Sequence, residues 1–426
     1  MTHKKFKHVR TVKDISEYKL KSNGLTVLYK HIPDTGVVTT NITYLVGARD
    51  ENIGETGLAH MLEHMVFKPT SHDLKRKHEG GAMRFERETG SILNANTWKD
   101  RTTYYFSYDA KHFSRALQIE AERMRDVVLT DKEFQPERTN VLSEFDMYNG
   151  EPEFAIAVDM VSSAFHCHPY GHETIGYRQD IERYTTTKLQ RFYDHFYRPN
   201  NATLMVVGDI DLEAALNEIV ATFGHLEPEP QVEVRPEIIE PKQEGLRRVE
   251  IVRPGTTNLL AIGIKHDGFP TKEWFTTMVT FKLLAGGKDG LLQKALVDTG
   301  LASDVSTMQE PTKDANLGII YITLADGVGH EEIEKKVFEL ISKVDANWIK
   351  KRLKAIITKA VSSELFGRDS SLSIVGELTE YVSAGDWTVY FKTEEILKKI
   401  TVKEVQNNLK TLFTENNLTI GTYKSI

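Results

Sequence analysis

Gly54-Glu55-Thr56-Gly57-Leu58-Ala59-His60-Met61-Leu62-Glu63-His64-Met65-Val66-Phe67-Lys68-Pro69-Thr70 is the stretch around which the chain is organised. Its apolar residues Leu58, Ala59, Met61, Leu62, Met65, Val66 and Phe67 read as one helix. That helix sets His60 and His64 one turn apart on one face, where two imidazoles can share a metal ion. Glu63 stands one residue before His64 and three after His60, so its carboxylate projects beside such an ion and can take a proton from water. The pattern His-x-x-Glu-His therefore points to metal-assisted hydrolysis. A zinc site needs a third protein ligand, a carboxylate, His or Cys from another element, with a fourth position open to water.

Composition bounds the rest. At 426 residues the chain exceeds one ordinary core, and two domains are expected. With 54 Lys plus Arg against 61 Asp plus Glu, a net charge of −7 and no basic patch, nucleic acid is not an expected partner. Cys167 is the only cysteine and cannot form an internal disulfide, so no oxidising compartment is required. Lys4, Lys5, Lys7, Arg10 and Lys13 lie in a segment without an apolar run, unlike a secretory signal. Asp14 and the excess of lysine are equally unlike a transit peptide. No stretch reaches the roughly 18 apolar residues of a membrane span. The expectation is a soluble, cytoplasmic protein.

In chain order, residues 24–29 and 37–46 read as strands ahead of the motif helix. A charged, Gly-containing segment at 72–90 precedes strands at 91–98 and 102–108, joined by a turn at Lys99-Asp100-Arg101. Helical spacing follows over 114–128, 131–148 and 153–165. After a loop at 166–172 come a helix at 185–196, a strand at 201–207 and a helix at 212–223. Pro228, Pro230, Pro236 and Pro241, among many acids, mark 227–247 as an extended linker. Beyond it the spacing predicts strands at 248–252, 259–265, 302–308 and 317–324, and helices at 274–284, 290–297, 330–344 and 347–365.

The second half repeats the first. Thr185, Gln190, Asn200 and Asn201 recur 216 positions later as Thr401, Gln406, Asn416 and Asn417. Phe134 and Arg138 find their counterparts 214 positions on in Trp348 and Arg352, which sets Glu137 opposite Lys351 and Glu144 opposite Thr358. No His-x-x-Glu-His stands in the second half, so metal chemistry belongs to the first half alone. The expected fold class is α+β: two homologous domains, each a mixed sheet backed by helices, over residues 1–226 and 248–426.

For the third ligand the sequence offers Glu137 and Glu144, seven residues and so two turns apart on the predicted helix over 131–148. Both carboxylates face one side, one to bind the metal and the other to tune it. Together with Glu137-Arg138-Thr139-Asn140-Val141-Leu142-Ser143-Glu144, the motif at 60–64 resembles the pitrilysin or insulinase-type metallopeptidases. Within that family the chain is similar to short, two-repeat bacterial members related to mitochondrial processing peptidase, and the resemblance covers most of its length. It implies a zinc endopeptidase with one Zn²⁺ per chain, held by His60, His64 and Glu144. Glu63 matches the general base and Glu137 the auxiliary glutamate, in a clamshell closing over an extended peptide or leader segment. Leu93-Asn94-Ala95-Asn96-Thr97 resembles the family's substrate-binding edge strand, where Asn94 contacts the peptide and Ala95 pairs through its backbone. Without that resemblance, the asparagine reads as a capping residue at a turn.

One stretch departs from the family pattern. Many members carry an Arg and a Tyr in the second repeat that donate hydrogen bonds near the scissile carbonyl, whereas this chain has Val297 and Ser303 there. Losing such a donor costs roughly 10²–10³ in rate. The resemblance thus implies a homologous, Arg- and Tyr-bearing partner in a heterodimer, with a homodimer as the other option. The competing reading, from another class, is a non-catalytic structural or peptide-binding subunit of the same fold; the complete set of zinc-site residues argues against it. His166, Cys167, His168 and His172 are not read as a second metal site, since Pro169-Tyr170-Gly171 marks an ordinary loop. Cys167 is expected to be buried or inert, and Phe67, Phe192, Tyr193, Phe196 and Tyr197 to be core.

Overall fold

A computed structural model describes residues 3–76, 80–230 and 238–426. Residues 231–237 of the predicted linker, with Pro236, and residues 77–79 of the charged segment lie outside the described residues. The first half runs β1 (Phe6–Val12), β2 (Ile15–Leu20), β3 (Thr26–His31), β4 (Val37–Tyr44), α1 (Leu58–Met65), α2 (Ser71–Arg76), α3 (Gly81–Thr89), β5 (Ile92–Thr97), β6 (Thr102–Asp109) and α4 (Phe113–Arg125). It continues with α5 (Asp131–Gly150), α6 (Pro152–Ala164), α7 (Arg178–Ile181), α8 (Thr186–Phe196), β7 (Ala202–Gly208) and α9 (Leu212–Phe223). The second half runs β8 (Arg247–Arg253), β9 (Leu259–His266), α10 (Lys272–Ala285), β10 (Ala302–Met308), β11 (Asn316–Leu324) and α11 (His330–Ser342). After α12 (Ala346–Phe366) come α13 (Ser371–Ser383), α14 (Thr393–Lys398), α15 (Val402–Leu412) and β12 (Leu418–Ser425).

Two mixed sheets result, in the order β1-β2-β3-β7-β4-β6-β5 and β10-β11-β9-β12-β8. Read backwards, the second sheet repeats the strand order β3-β7-β4-β6-β5 of the first. Its parallel pair, β8 with β12, stands where β3 pairs with β7. The α+β class and the internal duplication are therefore both present in the fold.

The compact units and the covalent halves differ by the exchange of one helix each way. One unit comprises Met1–Phe145, Glu173–Pro236 and Gly367–Thr388; the other comprises Asp146–His172, Glu237–Phe366 and Val389–Ile426. The expected boundaries at 226 and 248 follow the linker, whereas packing assigns α6 to the second sheet and α13 to the first. In the second unit Ile156, Met160 and Val161 of α6 share a buried core with Leu259, Leu317, Ile319 and Tyr423. Glycines allow that approach: a Cβ on Gly421 would stand 2.5 Å from Met160 Sδ, and one on Gly263 2.7 Å from Met160 Cε.

In the first unit β4 lies inside the sheet with helices on both faces, so Val38 through Tyr44 are all buried. Thr39 Oγ1 hydrogen-bonds Ser371 Oγ of α13 at 2.7 Å, and strand alternation puts Asn41 and Thr43 on the same face. Thr43 and Thr103 both donate to Asn41 Oδ1, at 2.8 and 3.0 Å, which satisfies this buried polar row. The hairpin β1–β2 has no counterpart in the sequence reading. Its outer strand buries only Phe6 of seven residues, and a mostly exposed edge strand carries no apolar alternation. The helix predicted over 290–297 is a π-helical turn at Gln293–Val297. Among the described residues no helix is long and apolar enough to cross a membrane.

Candidate metal centre

The motif helix α1 buries Leu58, Ala59, Met61, Leu62 and Met65, which leaves His60 and His64 on the remaining face, ring centroids 4.8 Å apart. Its first turn has no side-chain cap of its own; Glu51 supplies one from six residues upstream, accepting the N–H groups of Gly57 at 2.7 Å and Ala59 at 2.8 Å. Gly57 enters the helix at φ +90°, and a Cβ there would stand 2.3 Å from Ile175 O, so only glycine fits.

Helix α5 brings its two glutamates to this face. Glu144 Oε2 lies 3.8 Å from His60 Nε2 and 3.6 Å from His64 Nε2. Among the described residues His60, His64 and Glu144 form a group whose ligand atoms all lie within 4.8 Å of one another. Ligands about 2 Å from a tetrahedral zinc stand roughly 3.3–3.5 Å apart, which the two His–Glu144 separations approach. Burial, helped by His64, pushes His60 down to about 3, so its ring is the neutral imidazole that a metal requires. His60 Nδ1 is buried without a partner among the described residues, and Nε2 is the nitrogen that faces Glu144. The two-nitrogen, one-oxygen donor set fits zinc.

Glu137 takes the other side of His64. Its Oε2 lies 3.3 Å from His64 Nδ1, and its Oε1 accepts from the Lys68 ammonium. With Nδ1–H bound to Glu137, the lone pair of His64 Nε2 points toward Glu144. Partial burial works against the charged form of Glu137, but Lys68 and His64 outweigh it and hold the carboxyl below the usual carboxylate range. The sequence reading missed Lys68, although it stands one turn beyond His64 on the continuing chain.

Glu63 is 9% exposed and its Oε2 accepts a 2.6 Å hydrogen bond from Thr97 Oγ1, at the end of β5. Burial pushes the Glu63 carboxyl above the usual range; the Thr97 hydroxyl pulls the other way. Neighbouring Arg101, itself buried, donates to Asn96 of β5 and forms a fork on Glu380 of α13. Thr97 and Arg101 are site residues that motif reading did not single out. Thr97 shares a strand face with Ala95, which was the available signal.

Strand β5 ends its sheet, so one edge is unpaired by β6. Asn94 is exposed and Ala95 nearly buried, with the Ala95 N–H donating to Asn94 Oδ1 at 2.9 Å. Val297 closes the π-helical turn, and Ser303 lies exposed on β10 with Oγ 3.4 Å from Thr323 O; both belong to the second unit. Among the described residues His166, Cys167, His168 and His172 form no group that could hold a metal ion. Cys167 is exposed rather than buried, because the N–H groups of residues 166, 167 and 168 turn inward onto the Glu240 carboxylate at 2.7–3.1 Å. Desolvation and the Glu240 carboxylate raise its thiol pKa, which disfavours the thiolate. Phe192, Tyr193 and Tyr197 are core, with Phe67 and Phe196 partly buried.

Comparisons with known proteins match this picture. The family "Insulinase (Peptidase family M16)" matches residues 26–178, and "Peptidase M16 inactive domain" matches residues 183–359. The Zinc protease PqqE of Helicobacter pylori is 28% identical over 373 residues, which covers 85% of this chain and 82% of that protein. A zinc protease of Rickettsia bellii is 26% identical over 394 residues, 92% of this chain and 91% of that one. The crystal structure of a protease from Helicobacter pylori superposes with a TM-score of 0.89 at 25% identity, covering 96% of this chain and 99% of the other. With both of its repeats matched in order and relatives spanning nearly its whole length, the chain belongs to peptidase family M16, the insulinase or pitrilysin type.

Proposed function

We propose that the chain is a zinc-dependent endopeptidase for extended peptides or leader segments, with one zinc per chain held by His60, His64 and Glu144. The observation that carries this reading is the convergence of those three side chains within 4.8 Å beside the Glu63 carboxylate. Zinc, when bound, supplies Lewis-acid chemistry, polarising a carbonyl and lowering the pKa of water. The chain's own residues do the rest. Glu63 Oε1, the oxygen that Thr97 leaves free, accepts a proton from the attacking water and returns it to the leaving amine. Glu137 holds His64 in the required tautomer. The unpaired edge of β5 takes the substrate as an added strand, with Asn94 and Ala95 at its centre, which favours unfolded segments over folded proteins. Donors to the carbonyl oxygen come from a homologous, Arg- and Tyr-bearing partner, since Val297 and Ser303 cannot donate as those side chains do.

The test is hydrolysis of a quenched-fluorescent peptide library by the purified, zinc-loaded chain, with Glu63→Gln as the blank and a candidate partner added in a second arm. Chelator-sensitive turnover, lost in the variant and raised about 10²-fold or more by the partner, is expected. Full turnover without a partner removes the heterodimer. A zinc-loaded chain inactive in both arms overturns the peptidase reading.

A further inference from the structure

The hairpin of β1 and β2 carries its charge in an arrangement that packing does not require. Its register sets Lys7 opposite Lys19, and the Lys21 N–H donates to Lys5 O at 3.0 Å, which continues that register to Lys5 and Lys21. Strand alternation turns all four lysines to one face, while Phe6, Tyr18 and Leu20 are buried on the other. Like charges directly opposite one another destabilise a strand pair. All four lysines are exposed, and among the described residues none of them meets a carboxylate. By contrast, Arg10 on the same hairpin meets Glu17 at 2.6 Å, and Lys30 of β3 meets Asp14 at 2.8 Å.

Protection of a free sheet edge explains lysines on β1, which ends the seven-stranded sheet, but not on β2, which lies between β1 and β3. Residues 1–31 hold eight Lys and Arg against two acids, a net +6, while the whole chain is at −7 and the remainder therefore at −13. An anionic surface repels most of such a molecule and attracts this one face, so encounter is oriented. Sequence reading finds no basic patch because the opposed lysines stand 12 and 16 positions apart, and only the hairpin joins them. The occupant follows from reach. A peptide strand added to β1 passes beside Lys5 and Lys7 alone, one strand short of Lys19 and Lys21. A planar anionic surface laid across the ribbon meets all four, whose Cβ atoms stand about 5 Å apart across the strands and about 7 Å apart along them. Lysine is a compact point charge that asks for no bidentate geometry, which suits headgroup phosphates spread over a plane.

We propose that the lysine face of this hairpin docks the protein on an anionic lipid bilayer. The surface stands independently of the peptidase reading. The experiment is co-sedimentation of the full chain with vesicles of phosphatidylcholine alone, or of phosphatidylcholine with about 30% phosphatidylserine, at about 0.1 M salt, where long-range attraction is screened. Binding to the serine-lipid vesicles and not to the neutral ones is expected, and it is lost at about 0.5 M salt. At about fivefold per lysine, Lys5→Gln/Lys7→Gln/Lys19→Gln/Lys21→Gln weakens it at least about hundredfold, whereas Lys5→Arg/Lys7→Arg/Lys19→Arg/Lys21→Arg keeps it within about threefold. The glutamine variant melts no lower than the parent, since two repulsive pairs are gone, so its loss of binding is not loss of fold. Equal binding to both vesicle types, binding to neither, or undiminished binding by the glutamine variant overturns the proposal. So does lysine-dependent binding of an oligoglutamate peptide without binding to vesicles, which assigns the face to an acidic protein.

Discussion

Thr97→Val replaces a hydroxyl by a methyl at nearly constant volume and removes the 2.6 Å hydrogen bond to Glu63. Thr97 is 8% and Glu63 9% exposed, so water does not take the hydroxyl's place. A hydrogen bond to a charged group contributes about 1.5–3 kcal/mol. At about 1.4 kcal/mol per decade, kcat falls roughly 10- to 150-fold if the bond holds Glu63 in position for proton transfer. KM changes little, because the hydroxyl points at the base and not at the substrate strand. The pH dependence moves too. The hydroxyl favours the ionised carboxylate that burial disfavours, so its loss raises the Glu63 pKa and shifts the acidic limb of kcat to higher pH. Steady-state hydrolysis of a fluorogenic peptide between pH 5 and 9 reads both effects, and Thr97→Ser restores the parent profile. Zinc affinity by chelator competition is unchanged in both variants. A Thr97→Val enzyme with parental kcat and an unmoved acidic limb refutes the reasoning.

Glu137→Gln weakens zinc binding about 10- to 100-fold, as loss of a carboxylate behind a ligating histidine does. Competition with a fluorescent chelator measures it, and parental affinity denies Glu137 its hold on His64. Gly57→Ala forces a side chain to φ +90° and against Ile175 O, so the thermal transition drops by several degrees, for a cost of about 1–3 kcal/mol or more; an unmoved transition contradicts the packing described. Glu120 is buried 3.2 Å from Arg123, and burial, opposed by Arg123, raises its pKa to about 7 from an ordinary value of 4.5. The native state binds this proton more tightly than the unfolded chain, so the contribution is full below pH 4.5 and is lost as pH rises through about 7. Urea midpoints of the parent therefore fall relative to Glu120→Gln across that window, and parallel curves reject the assignment.

The candidate metal centre was legible as a cluster because its geometry is local. His60 and His64 sit four apart on one helix, and Glu137 and Glu144 sit seven apart on another, so periodicity alone puts each pair on one face. The duplication was legible in recurring side chains, and the sheets repeat it strand for strand. What escaped depends on partners distant in sequence. Nothing in β5 says that the hydroxyl of Thr97 meets α1, and nothing in the apolar spacing of α6 says which sheet it covers. Strand β1 escaped for another reason: six of its seven residues face away from the core, so its pairing rests on backbone bonds that leave no mark on composition.

The reciprocal placement of α6 and α13 bears on how the protein can be taken apart. The chain passes between its compact units at five points, and the linker is only one of them. A nick between 227 and 247 leaves both sheets covered. Separate expression of the halves does not: an isolated first half presents the apolar face of α6, with Ile156, Met160 and Val161, to water and lacks the helix that covers β4. The halves are therefore expected to fold only together, and fragment complementation, with a rate that depends on both concentrations, is the measurement that checks it.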